Sequence, residues 1–153
     1  MNLQPLLVFL HLASVALWVG GMFFAYVCLR PTAVELFEPP QRLRLWRGVF
    51  SRFFVWVWAA VALIPASGLT MLLQAGFANA PLNWHLMLIT GLIMIGIFIY
   101  VATFPYTVLQ RAVDAEDWKA AGAALNRIRQ LIGINLVLGF VTIAIATLGQ
   151  WLS

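Results

Sequence analysis

Four long apolar runs, separated by three connections that hold nearly all the charged residues, set the organisation of this chain. They cover residues 6–29, 53–73, 85–104 and 131–152. A hydrocarbon core of ~30 Å takes about 20 helical residues at about 1.5 Å of rise each, so every run predicts a membrane-spanning helix. Lipid offers backbone groups no hydrogen bonds, which favours helices that satisfy their own. The expected fold is all-α: an integral membrane four-helix bundle, one transmembrane domain over residues 1–153.

Within helix 1, His11, Ser14, Val15, Trp18, Met22 and Ala25 recur at helical spacing on one face. Gly20 and Gly21, followed by Ala25, make a small-residue patch that a neighbour or a flat cofactor can approach closely. Helix 2 carries Pro65 with Ser67 and Gly68, a cluster that predicts a kink. In helix 3, His85, Leu88, Ile89, Leu92, Gly96 and Ile99 are expected on one face. Helix 4 aligns Asn135, Gly139, Thr142, Ala146 and Gly149, a small and weakly polar stripe suited to a bundle interior, with Asn135 read as a helix–helix hydrogen bonder.

The connections are equally patterned. After the breaker Pro39-Pro40, residues 41–52 alternate Arg with Leu, Trp and Phe, as expected of a basic amphipathic segment lying on the inner lipid surface before helix 2. Nucleic-acid binding is the sharper alternative and is set aside in favour of this anchoring face. Residues 74–84 are uncharged and predict a short external loop, with Trp84 in the aromatic belt. Residues 114–130 predict an amphipathic helix, with Asp114 and Asp117 as its N-terminal cap and Trp118, Ala121, Leu125 and Ile128 as its apolar stripe. No proline separates it from helix 4.

Composition agrees with a membrane protein: 63% of residues are hydrophobic and 9% charged. The formal charge of +4 matters mainly through its placement, since all nine Lys and Arg flank or lie in the first and third connections. By the positive-inside rule those connections face the cytoplasm and both termini face outward, which puts His11 and His85 near the outer face. The start is uncharged and its apolar run is too long for a cleaved signal peptide, so it reads as a retained helix. Cys28 is the single cysteine, which excludes a disulfide framework, and it reads as a small buried apolar residue near the cytoplasmic end of helix 1.

Several chemistries are disfavoured. Every Asp and Glu belongs to a connection expected in the cytoplasm, so no carboxylate is available for an intramembrane proton relay. There is no CxxCH for covalent haem, no glycine-rich phosphate loop, and no nucleophile–histidine pairing. What remains is two imidazoles on one side of a bundle. With short loops, helices 1 and 3 lie diagonally, and ligands on diagonal helices can grip a planar macrocycle from both faces. His11 is about 9 Å inside the start of helix 1 and His85 is in the first turn of helix 3, so their depths agree only if helix 3 starts further in.

The stretches HLASVALWVGGMFFAYVCLRP, EPPQRLRLWRGVFSRFFVWVWAAV, WHLMLITGLIM and AAGAALNRIRQLIGINLVLG resemble the CopD family of bacterial inner-membrane proteins, named for copper resistance. The resemblance spans nearly the whole chain, and the family's early histidine and helix-3 histidine match His11 and His85. It implies a multi-pass inner-membrane protein associated with copper uptake, alongside a small periplasmic copper-binding partner. The first and third helices are also similar, more distantly, to HemJ, a haem-containing membrane protoporphyrinogen oxidase. HemJ's helix-1 histidine matches His11, and its helix-3 lysine is replaced by His85, a departure that supplies a second axial ligand.

Three functional expectations follow. The first is a b-type haem bridged by His11 and His85, lined by Trp18 and Gly21, and exchanging electrons with a periplasmic redox partner or a quinone. If the chain is an enzyme, it is then a haem-dependent membrane oxidoreductase. The second is copper bound by His11, His85 and Met22, because imidazole and thioether suit copper. Met22 shares the His11 face and lies roughly 16 Å deeper, as a later relay point. Met87, two residues from His85, is read as lying on a different face. The third is structural, with both histidines only hydrogen-bonding inside the bundle. The lipid bilayer is the common partner, further copies of the chain are a candidate, and nucleic acid is not.

Overall fold

The computed structural model describes residues 3–149. Among them four helices are long and apolar enough to cross a membrane: α1 (Gln4–Leu36), α2 (Pro39–Ala75), α3 (Leu82–Asp114) and α4 (Trp118–Leu148). Short connections make successive helices antiparallel neighbours. Helix α1 packs chiefly on α2 and α3 on α4, while α1 and α3 share no substantial interface. The expected end of helix 4 at residue 152 lies outside the described residues.

The helices run well past their apolar stretches. At 37 residues, α2 is ~55 Å long at 1.5 Å per residue, against a hydrocarbon core of ~30 Å. Pro39-Pro40 starts it rather than breaking the chain, because a proline at a helix's first positions gives up an N–H that has no helical partner anyway. Glu38 and Gln41 form a reciprocal capping box, with the Glu38 N–H donating to Gln41 Oε1 at 3.3 Å. Residues 41–52 are therefore the first part of α2 and not a separate helix flat on the lipid.

That basic segment turns its apolar face toward protein. Leu43, Trp46 and Phe50 join Tyr106, Leu109, Ala112 and Val113 of α3 and Ala121, Ala124 and Ile128 of α4 in one buried cluster. Arg47 pairs with Asp114 at 2.8 Å, Arg44 pairs with Glu116 at 3.0 Å, and the Arg44 guanidinium lies 5.1 Å from the Trp118 ring centre. Asp114 thus closes α3 instead of opening the next helix. Asp117 alone caps α4, accepting from the Ala120 N–H at 3.0 Å, and α4 continues unbroken from the charged end into the apolar span.

Two prolines shape the spans. Ahead of Pro31, α1 widens into a π turn over Phe24–Leu29, which makes room for a ring that would otherwise clash with the preceding turn. In α2, Pro65 leaves the Val61 carbonyl without its helical donor, and two residues on the Ser67 hydroxyl donates back to Leu63 O at 2.6 Å.

Inward faces follow the expectation for α1 and α4, except that Cys28, expected to be buried, is exposed where the π turn carries it to the outside of α1. Ser14, Trp18 and Met22 are buried on α1, and Asn135 and Gly139 on α4. The face expected for helix 3 is corrected: Ile89, Leu92, Gly96 and Ile99 are exposed, and Asn83, Met94, Phe98 and Val101 are buried instead. With apolar residues all round this helix, the sequence carries no phase for its inward side.

Candidate metal centre

His11 enters the interface between α1 and α2 two turns inside the N-terminus of α1. Its Nδ1 lies 3.1 Å from Ile64 O and 3.0 Å from Ser67 Oγ, both on α2. The Ile64 carbonyl can only accept. The Ser67 hydroxyl sends its proton to Leu63 O and presents a lone pair to the ring. Nδ1 of the neutral ring is therefore the protonated nitrogen, and Nε2 keeps its lone pair. Metal-bound histidines are held in this way, the remote N–H anchored to an acceptor and the other nitrogen free to ligate.

The backbone of α2 is shaped for the ring. A Cβ at Gly68 would lie 3.1 Å from His11 Cε1 and 3.4 Å from Nδ1, closer than a side chain tolerates without displacing the imidazole. Ser67 is 3% exposed, so the contact lies within the helix interface. The sequence pattern singles out Pro65, Ser67 and Gly68 as a kink only; their role as the seat of His11 appears when α1 and α2 pack together.

His85 has a different setting. Its Nε2 is 3.1 Å from Phe77 O and its Nδ1 is 3.3 Å from Pro81 O, with the Phe77 ring edge-on at 4.8 Å between centres. The ring thus braces the connection between α2 and α3. A neutral imidazole can donate to only one of those carbonyls. Depth also divides the two histidines. Ser67 is eight residues before Ala75, or ~12 Å inside the end of α2, whereas Phe77 lies beyond that end. Helix α3 starts at Leu82, directly after the connection, so it does not begin deep enough to level the two rings.

The remaining sequence candidates sit elsewhere. Trp18 is buried edge-on against Phe98 at 6.0 Å. Gly21 faces the Phe53 ring, into which a Cβ would run, so its open side holds an α2 side chain and not a flat cofactor. Met22 is buried in the bundle centre, bordering a small cavity with Trp18 and Asn135. Met94, which the expected helix-3 face omits, is also buried there. Among the described residues no three His, Cys, Asp or Glu side chains gather as a metal site.

A b haem bridging His11 and His85 does not fit these residues. The two rings lie at different depths with separate partners, both nitrogens of His85 face carbonyl oxygens, and Phe53 fills the space at Gly21. A groove of about 310 Å³ between α1 and α4 is lined by Val15, Val19, Phe23 and Phe140 among others, and by neither histidine.

The family comparison bears on the same residues. A model described as CopD, copper resistance protein D, matches residues 47–148, two thirds of the chain. The chain belongs to the CopD family. The match takes in the whole membrane part of α2 with Ser67 and Gly68, His85, and both α3 and α4; His11 lies before it. No curated protein and no solved structure matches the chain. A multi-pass membrane protein related to copper resistance is thus established by family and by four apolar helices.

Proposed function

We propose that this CopD-family protein binds copper at His11 and passes it into the bundle, as a step in copper uptake across the bacterial inner membrane. The observation that carries the reading is the fixed orientation of His11, with Nδ1–H held by Ile64 O and Ser67 Oγ and Nε2 left as a ligand. Imidazole nitrogen suits copper, and the family's name supplies the metal. The basic residues around the first and third connections support a cytoplasmic location for the charged end and an outward, periplasmic location for the termini and the two histidines. In that orientation His11 receives copper from the periplasmic side, from a small copper-binding partner, and His85 steadies the loop beside the entrance.

Copper accumulation by expressing cells tests the reading. Wild type should raise cell copper above the vector control, and His11→Ala should return it to the control value at equal protein level. Gly68→Val, which intrudes on the imidazole without removing it, should lower it too. Accumulation unchanged in His11→Ala overturns the proposal.

A further inference from the structure

Deep in the bundle, Asn135 of α4 donates its amide Nδ2–H to Met94 O at 3.1 Å. A carbonyl can only accept, so this bond fixes the amide's orientation and assigns the other terminal atom as Oδ1. Oδ1 is buried with no hydrogen-bond partner among the described residues, in a side chain 3% exposed. An orphaned acceptor at such depth is costly and calls for a proton donor or a cation.

The surroundings favour a soft cation. Asn135 borders a cavity of about 20 Å³ with Trp18 and Met22, room for one ion or one water molecule. Apart from Asn135, its lining consists of apolar and aromatic side chains and the Met22 thioether. A hard, strongly hydrated ion would find one oxygen and nothing to replace the rest of its shell. A soft monovalent ion finds a thioether and an amide oxygen there, with the Trp18 indole in the same lining.

We propose that Met22 and Asn135, beside Trp18, form a second, intramembrane site for a soft monovalent cation, cuprous copper in the cell. The inference rests on the copper reading of His11 and extends it inward. Met22 and His11 lie on one face of α1, separated by ~16 Å at 1.5 Å per residue. Two weak, neutral donors give a site that fills and empties readily, which conduction requires. Met94 is excluded as a ligand: its Sδ lies 3.9 Å from the Thr142 hydroxyl, and it does not border the cavity.

Silver(I), a redox-inert soft cation, is the probe. Full-length protein purified in detergent carries His11→Ala and Cys28→Ser throughout, so the outer site and the exposed thiol of Cys28 are both absent, and silver is followed by titration and by X-ray absorption for a sulfur neighbour. The protein with this His11→Ala background should bind one silver ion with one sulfur neighbour. Adding Met22→Leu, a volume-conserving change, should remove the sulfur neighbour. Adding Asn135→Leu should weaken binding by about tenfold or more, the loss typical when a supporting group of a metal site is removed. Adding Met94→Leu should change neither quantity. Absence of silver binding in His11→Ala, a sulfur neighbour that survives Met22→Leu, or one that disappears with Met94→Leu each overturns the inference. Water alone in the cavity gives the first of these results. Copper accumulation that depends on His11 while silver binding fails would leave the outer site standing and remove the inner one.

Discussion

Nδ1 of His11 lies 3.0 Å from Oγ of Ser67, a residue 56 positions away on the neighbouring helix. The contact ties a ring on α1 to the turn that follows Pro65 in α2, and it decides which ring nitrogen can meet a metal. Ser67→Ala removes one of the two acceptors and leaves Ile64 O. Copper affinity should fall about tenfold, as is usual when a ligand histidine loses an outer hydrogen bond. Competition titration of the purified variant checks this, and an affinity within twofold of wild type would detach Ser67 from metal binding.

The charged end owes its stability to apolar packing and little to its ion pairs. Leu109 and Ile128 are fully enclosed there, whereas Arg44–Glu116 and Arg47–Asp114 are exposed. Leu109→Ala should cost about 2–5 kcal/mol, and Arg47→Ala no more than about 1 kcal/mol. Unfolding in detergent monitored by circular dichroism gives both numbers, and a larger loss for Arg47→Ala would reverse the argument.

Gly21 and Phe53 are complementary shapes. Gly21→Val should destabilise the bundle by about 1–3 kcal/mol through overpacking, and Phe53→Leu introduced with it should recover part of that loss. If the double variant is no more stable than Gly21→Val alone, the close approach of α1 and α2 at this glycine is not what restricts the position.

The proposed orientation rests on the placement of charge. In a Cys28→Ser background, cysteine placed at Asn79 should react with a membrane-impermeant reagent on intact cells, and cysteine placed at Lys119 should react only after the membrane is opened. The opposite pattern would put His11 and His85 on the cytoplasmic side and reverse the direction proposed for copper.

What could be read from the sequence depended on whether polar or small residues marked a phase. Helices α1 and α4 carry Ser14, Gly21, Asn135 and Gly139 in register with their buried faces, and these faces were legible. Helix α3 is apolar all round, so the side bearing Asn83, Met94 and Phe98 emerges only from packing against α4. The 41–52 segment misleads for a different reason. A basic amphipathic helix presents the same pattern whether its apolar face meets lipid or protein, and here it meets Tyr106 and the Leu109 cluster. The seat of His11 was visible as Pro65, Ser67 and Gly68, but a contact across 56 residues has no periodicity to announce it. The depth of His85 likewise depended on where α3 begins, and a neutral connection containing Pro81 allowed more than one answer.

Copper bound to a single anchored imidazole has a direct signature in the paramagnetic resonance of the cupric protein. Pulsed measurements on the copper-loaded, purified chain should detect coupling to the remote nitrogen of one imidazole. That coupling should persist in His85→Ala and vanish in His11→Ala. The same coupling in His11→Ala, or its loss in His85→Ala alone, would contradict the assignment of His11 as the copper ligand.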